Sequence, residues 1–409
     1  MLTAENIALS IEKHLKALAE FTSTPGEGVT RFPFTKQAKQ CVDYLGEAMK
    51  NAGLDVRTDG SGAVIGRLEG KTDKTVMVGS HYDSVQHGGE YDGIAGIVCG
   101  LALAEYLHEN NVTPFYSLEI IAMNDEEGAR FKGGFHSSKA MLGLTTREEL
   151  ENTRDSDSVS ISEAMAEWGL SVDDFMATKR DLSKIRAFLE VHIEQGPVLE
   201  SKNKEIGIVD TIVGMERFLC EIYGRADHAG TTPMGMRKDA LAAAAKVIAE
   251  AEMAASQEGD SVATVGYINV LPNEINTIAH KVTFTLDIRS VEDEKVSRIT
   301  KSCLDKLKSV CEADKMECTV TNTLSVSPTK MNTEIKELIA DSCNKRGFSS
   351  MELNSGAGHD SLPIGKEIPT AMIFIPTKDG RSHCPLEFCK YSDLAKSVLI
   401  LYDVISQIK

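Results

Sequence analysis

The chain has 409 residues, with 44 Lys+Arg against 61 Asp+Glu and a formal net charge of -17. That length exceeds what one hydrophobic core ordinarily serves, so two domains, or one domain carrying a large insertion, are expected. The acidic balance repels nucleic acid and anionic membrane, no basic run of nucleic-acid-binding type is present, and no apolar stretch reaches the length of a membrane span, so neither partner is expected.

The first ten residues carry an early acid in place of a basic region and an unbroken apolar stretch, so no signal peptide is expected. The nine cysteines are odd in number, scattered, and never form Cys-x-x-Cys. They read as reduced thiols of a cytoplasmic protein, not as a disulfide framework or a zinc-thiolate knuckle.

Helical periodicity covers 4–21 and 35–52, followed by strand-like runs at 63–68 and 75–78. An apolar, Ala- and Gly-containing helix is predicted over 92–107, a β-rich run over 115–123 and a short strand over 187–192. Between about 213 and 324 the order becomes strand (217–223), helix (238–256), strand (262–270), strand (281–288), helix (292–311), strand (317–324). That is βαββαβ, a ferredoxin-like sandwich. The earlier alternation resumes after Pro328 with a helix at 333–346, a strand at 371–375 and a closing helix at 392–408. The expected organisation is an α/β domain in two pieces, 1–212 and 328–409, interrupted by an inserted module at 213–327.

The chemistry-bearing residues fall where predicted strands end or helices begin, as ligand sites of open α/β sheets do. In Gly-Ser-His81-Tyr-Asp83, alternation points both side chains to one face, so the Asp83 carboxylate can fix the tautomer of His81. A core histidine beside a solvated acid is the alternative. Asp92 opens the 92–107 helix within Glu90-Tyr91-Asp92-Gly93, where it serves either as a helix cap or as a bridging carboxylate. Glu126 and Glu127 directly follow an apolar strand, and adjacent acids there can divide two tasks, one binding metal and one moving a proton. His192 and His383 complete a set of imidazole and carboxylate donors suited to Zn, Mn, Co or Ni. His228, in the turn-rich Asp227-His228-Ala-Gly-Thr-Thr-Pro233, offers a group to polarise a carbonyl, and Arg289, with Asn276 nearby, a fork for a carboxylate. On composition alone these last three are ordinary surface groups.

Taken together, Gly-Ser-His81-Tyr-Asp83-Ser-Val, Gly-Gly-Glu-Tyr-Asp92-Gly, Asp-Glu126-Glu127-Gly-Ala-Arg-Phe, His192-Ile-Glu-Gln195-Gly-Pro, Asp-His228-Ala-Gly-Thr-Thr-Pro, Asn276, Arg289, Ser-Gly-Ala-Gly358-His359-Asp and Ser-His383 resemble the amidase branch of the di-metal M20 peptidase superfamily. That branch contains N-carbamoyl-L-amino acid hydrolases, allantoate amidohydrolases, ureidoglycolate amidohydrolases and β-ureidopropionases. The resemblance covers nearly the whole chain. It implies an aminopeptidase-like catalytic α/β domain with an inserted lid and dimerisation domain, and two divalent ions per subunit, Zn2+ or Mn2+, with Co2+ or Ni2+ as alternatives.

By resemblance, His81, His192 and Asp92 would hold one ion, and Glu127, His383 and the bridging Asp92 the other. Glu126 would be the general base, Asp83 would orient His81, and His228 would stabilise the oxyanion at the site of a partner subunit in a homodimer with shared sites. Gln195, Arg217, Asn276, Arg289, Gly358 and His359 would bind substrate, Arg289 taking its carboxylate. The short gap from His81 to Asp92 and a histidine at 192 look like the amidases. The implied substrate is therefore a small ureido or carbamoyl carboxylate, cleaved to ammonia and CO2. Arg217-Phe218 and the stretch from Met372 to Gly380 look like the allantoate enzymes, although Met215-Glu216 stands where the family usually has Gln-Arg. An M20 aminopeptidase or N-acyl amino acid deacylase, and a non-catalytic binding protein of the same fold, are the competing readings.

Overall fold

The structure, a computed structural model, describes residues 4–408. It divides into two compact units, one running to Asp210 and resuming at Lys330, the other spanning Thr211–Thr329.

The first unit is built on a nine-stranded sheet whose centre is four neighbouring parallel strands, in the order Ser117–Met123, Thr75–His81, Ile185–Ile193, Thr370–Ile375. Three of these four are buried along their whole length, and the fourth all but one residue. They therefore read as continuous apolar runs and not as alternation, the signature of a sheet covered on both faces. Antiparallel strands, Val64–Leu68 on one side and Ile206–Ile212 on the other, flank this centre.

The helix Ile94–Glu109 is apolar nearly all round over 94–104, where every residue is buried, and only its last turn reaches the surface. It lies close to the sheet at Gly96, where a Cβ would come within 2.2 Å of the Val191 carbonyl oxygen. This approach sets the residues just before the helix directly over the strand ends. Asp92 does not cap it: Gly93 occupies the cap position without any side-chain bond, leaving the Asp92 carboxylate for another task.

In the second unit four strand positions follow the order Glu317–Val326, Gly214–Tyr223, Lys281–Ser290 and then Val262–Thr264 with Ile268–Leu271, all antiparallel. With the helices Ala240–Gln257 and Asp293–Ala313 this is the βαββαβ order read from the sequence. Strict alternation along Lys281–Ser290 buries Val282, Phe284, Leu286 and Ile288 against the helices and turns Asp287 and Arg289 to the opposite face. The single strand expected over 262–270 is broken. Between Thr264 and Ile268 the chain advances four residues while its partner advances three, from Asp287 to Phe284, so one residue is accommodated as a bulge around Gly266.

Candidate metal centre

The four parallel strands deliver their carboxyl ends to one place. His81 ends one, Asn124-Asp125-Glu126-Glu127 follows the second, His192 is next to last in the third, and the loop to His383 follows the fourth. Asp92 enters from the turn before the buried helix. Gly93 holds φ +63°, and a Cβ there would lie 2.4 Å from the His81 ring, so the turn that aims Asp92 requires glycine.

Asp92 is shared by three histidines. Its Oδ1 lies 3.4 Å from His81 Nε2 and 3.2 Å from His192 Nε2, while its Oδ2 lies 3.2 Å from His383 Nε2. Glu127 Oε1 is 3.4 Å from His383 Nε2, and Glu126 Oε2 is 3.8 Å from His81 Nε2. Donor atoms of His81, Asp92 and His192, and separately of Asp92, Glu127 and His383, fall within 4.8 Å of one another.

The hydrogen bonds behind the rings decide what these atoms can hold. His81 Nδ1 donates to the Asp83 carbonyl oxygen at 3.1 Å, and His192 Nδ1 to the Ile193 carbonyl oxygen at 2.8 Å. Each neutral ring therefore presents a lone pair on Nε2. Both lone pairs face Asp92 Oδ1, which is buried and accepts no hydrogen bond. His192 Nε2 receives the Gly93 N–H at 3.2 Å, but Asp92 Oδ1 is left among acceptors that only positive charge reconciles, so the donor set fits a divalent cation.

The electrostatics show the crowding of negative charge that draws a cation, or a proton in its place, into the cluster. Burial pushes Glu126 upward, and the charges of Glu127, Asp360 and Asp83 add to it. Glu127 is driven up to about 7 by burial and by Asp92. Burial pulls His81 down, yet Glu126, Asp92 and Asp83 more than offset this and hold it well above its usual value. Burial alone would raise Asp92, but the three histidines hold it well below the carboxylate range.

Asp83 departs from the expected role. Its carboxylate stands 3.7 Å from His81 Nδ1, beyond hydrogen-bond reach, and it is the backbone carbonyl of Asp83 that orients the ring. The carboxylate instead accepts the backbone N–H groups of Glu126 and Glu127 at 3.1 and 3.2 Å. His359 is 1% exposed, its ring 4.4 Å from that of His192 and bonded to Ser355. It backs a ligand where direct contact with substrate was expected. Gly358 precedes it in the same loop, and Gln195 Nε2 donates to Asp92 Oδ2 at 2.7 Å.

The remaining expected residues belong to the second unit. His228 is exposed, and its Nδ1 accepts the N–H groups of Gly230 and Thr231 at 3.0 and 3.3 Å, which places the ring proton on Nε2 as an outward donor. The Asn276 carbonyl accepts from Ala229, so the two loops adjoin. Arg217 and Arg289 grip one acid: Asp287 receives Nε and Nη2 of Arg217 at 3.0 and 2.6 Å, and Nε and Nη2 of Arg289 at 2.7 and 3.2 Å.

Sequence reading missed Ser382 and Glu387. Glu387 is buried and accepts the backbone N–H groups of Tyr91 and Asp92, both at 3.0 Å, with Ser382 Oγ at 2.8 Å. No spacing links residue 92 to residue 387. Asp125, Gln195 and His383 all take positive φ, 58°, 58° and 55°, backbone strain gathered at one site.

Among the described residues no helix is long and apolar enough to cross a membrane. Residues 77–407 match the family model for peptidase family M20/M25/M40. The chain is similar to the N-carbamoyl-L-amino-acid amidohydrolase of Paenarthrobacter aurescens, 38% identical over 397 residues and 96% of each chain. It is also similar to the allantoate amidohydrolase of Escherichia coli K12, 33% identical over 402 residues and 97% of each. A solved amidase of the hydantoinase/carbamoylase family from Burkholderia multivorans superposes with a TM-score of 0.89 at 28% identity, covering 97% of both chains. With a whole-length likeness and a donor set of histidines and carboxylates at four strand ends, the chain belongs to the M20/M25/M40 peptidase family, among its hydrolases of non-peptide C–N bonds.

Proposed function

We propose that this protein is a di-metal amidohydrolase that cleaves the ureido C–N bond of an N-carbamoyl-L-amino acid, releasing ammonia, CO2 and the free amino acid. The observation that carries the reading is Asp92, one oxygen turned to His81 and His192 and the other to His383. His81, Asp92 and His192 would hold one ion and Asp92, Glu127 and His383 the other, Zn2+ or Mn2+ suiting these donors. Ions there supply a Lewis acid for the scissile carbonyl and acidify water.

The chain's own residues do the rest. Glu126 takes a proton from the attacking water and returns it to the departing nitrogen. His228, its proton on Nε2, donates to the developing oxyanion. Arg289, braced by Asp287 through Nε and Nη2, takes the substrate carboxylate, and Gln195, Asn276 and Gly358 orient the ureido group. Carbamoyl amino acids are placed ahead of allantoate because the carbamoyl relatives reach 35–38% identity against 33% for the allantoate ones.

The second unit exposes Val262, Tyr267, Ile268, Leu271 and Ile275 on and beside its edge strands. We assign this apolar edge to pairing with a second copy in a homodimer, the exposed His228 serving the partner subunit's site. We assign the protein to the cytoplasm, the reading that its free, scattered thiols support. Ammonia release from N-carbamoyl-L-amino acids, allantoate, acetyl-amino acids and dipeptides, measured after chelation and after reloading with Mn2+ or Zn2+, tests the assignment. Turnover of dipeptides alone would overturn it, and sedimentation of an active monomer would overturn the shared site.

A further inference from the structure

The two proposed ion positions are supported unequally. His81 and His192 stand on buried strand ends, at 1% and 0% exposure. His383 stands on a loop with positive φ and a side chain 46% exposed. Something other than the sheet must keep His383 at its distance from Asp92. The loop is closed at its base, where the Lys378 N–H donates to the Phe388 carbonyl at 2.9 Å, but that bond lies away from the imidazole.

Gln195 Nε2 lies 3.2 Å from His383 Nε2 itself, and the tie between the His383 loop and the Asp92 turn is Glu387. One of its oxygens, Oε1, collects the backbone N–H groups of Tyr91 and Asp92, so it grips the turn that aims the bridging acid. Its other oxygen, Oε2, meets Ser382 Oγ, the residue immediately before His383. Ser382 Oγ also lies 2.9 Å from Asp92 Oδ2. A hydroxyl has one proton, so it donates to Asp92 or to Glu387 and not to both. When positive charge takes the Asp92 Oδ2 lone pair, the proton has a second acceptor ready in Glu387, and the half-buried Ser382 hydroxyl is never left unpaired.

We propose that Glu387, through Ser382 and the Tyr91–Asp92 backbone, is a positioning residue that joins the Asp92 turn to the His383 loop and so sets the affinity of the Asp92–Glu127–His383 position more than that of the His81–Asp92–His192 position with which it shares Asp92. This rests on the two-ion reading above. Glu387 touches neither substrate nor any proposed ligand atom.

The test is direct metal titration of the full chain with Mn2+ and Zn2+, read by calorimetry and by bound-metal analysis after desalting. Glu387→Gln keeps an oxygen for the two backbone donors but turns an amide N–H on Ser382 Oγ, which removes the second acceptor for the Ser382 proton, and Ser382→Ala removes the hydroxyl. Each should weaken the second ion by about 10- to 100-fold, the usual cost of losing a group that orients a ligand, weaken the first ion less and leave the melting temperature in place. The double variant should lose no more than the larger single loss, since both act in one chain of bonds. Two ions bound at unchanged affinity in both single variants would overturn the proposal, as would equal weakening of both ions with a lowered melting temperature. A parent chain that binds fewer than two ions would instead overturn the two-ion reading on which it rests.

Discussion

The carboxylate of Asp83 accepts the backbone N–H of Glu126 at 3.1 Å, while His81, two residues away, is oriented by the Asp83 carbonyl. The acid nearest the histidine in sequence thus serves the loop that carries the proposed base. Asp83→Asn retains one carbonyl oxygen for the Glu127 N–H and sets an amide donor against the Glu126 N–H, so the base is displaced. The expected result is a fall in kcat of about 10- to 100-fold with metal content and KM retained. Loss of bound metal instead, measured by elemental analysis, would return Asp83 to the role of tuning His81.

Glu126→Gln keeps the shape of the side chain but cannot hold a proton in transit. Turnover should drop by about 10^2- to 10^4-fold while KM and ion stoichiometry stay near those of the parent. Steady-state kinetics on a metal-loaded sample check this, and turnover within a few fold of the parent would remove Glu126 from the mechanism.

Chelation should destabilise the first unit. Without ions, Asp92, Glu126, Glu127 and Glu387 are buried together, and burial drives Glu387 up to about 7. Ions present at a thousandfold their Kd stabilise by about 4 kcal/mol. The melting temperature should therefore fall on chelation and recover on addition of Mn2+ or Zn2+. A melting curve indifferent to chelator would show that the cluster holds no ion.

Asp287 connects stability to pH. Burial pushes its carboxyl up, but the guanidinium groups of Arg289 and Arg217 outweigh this and hold it below its usual value. A carboxyl whose folded pKa is depressed contributes stability in full above the unfolded value, about 3.9, and loses that contribution as pH falls through the folded value. Asp287→Asn should cost about 1–3 kcal/mol at pH 7, with the difference from the parent shrinking below about pH 4. It should also raise KM for a carboxylate substrate with kcat little changed, because Arg289 loses its support. Denaturant melts across pH, with kinetics at pH 7, check both.

Much of the fold was legible because each element carries its own period. The apolar run at 75–78, and that at 115–123 from Ser117 onward, lie in strands buried throughout, and the helix Ile94–Glu109 has no polar face over 94–104 because every residue there is buried. The bulge at Gly266 was not legible, since it arises from the register against a strand some twenty residues away.

The sequence by itself determined the donor inventory: His81, Asp92, Glu126, Glu127, His192 and His383 stand at the ends of apolar segments, and strand and helix periods depend only on local residue type. Three-dimensional packing decided which oxygen of Asp92 faces which ring, why Asp83 serves Glu126, and that Glu387 reaches across to Tyr91 and Asp92. Those relations join residues up to 296 positions apart. They depend on the close seating of one helix on the sheet at Gly96, which no local pattern encodes.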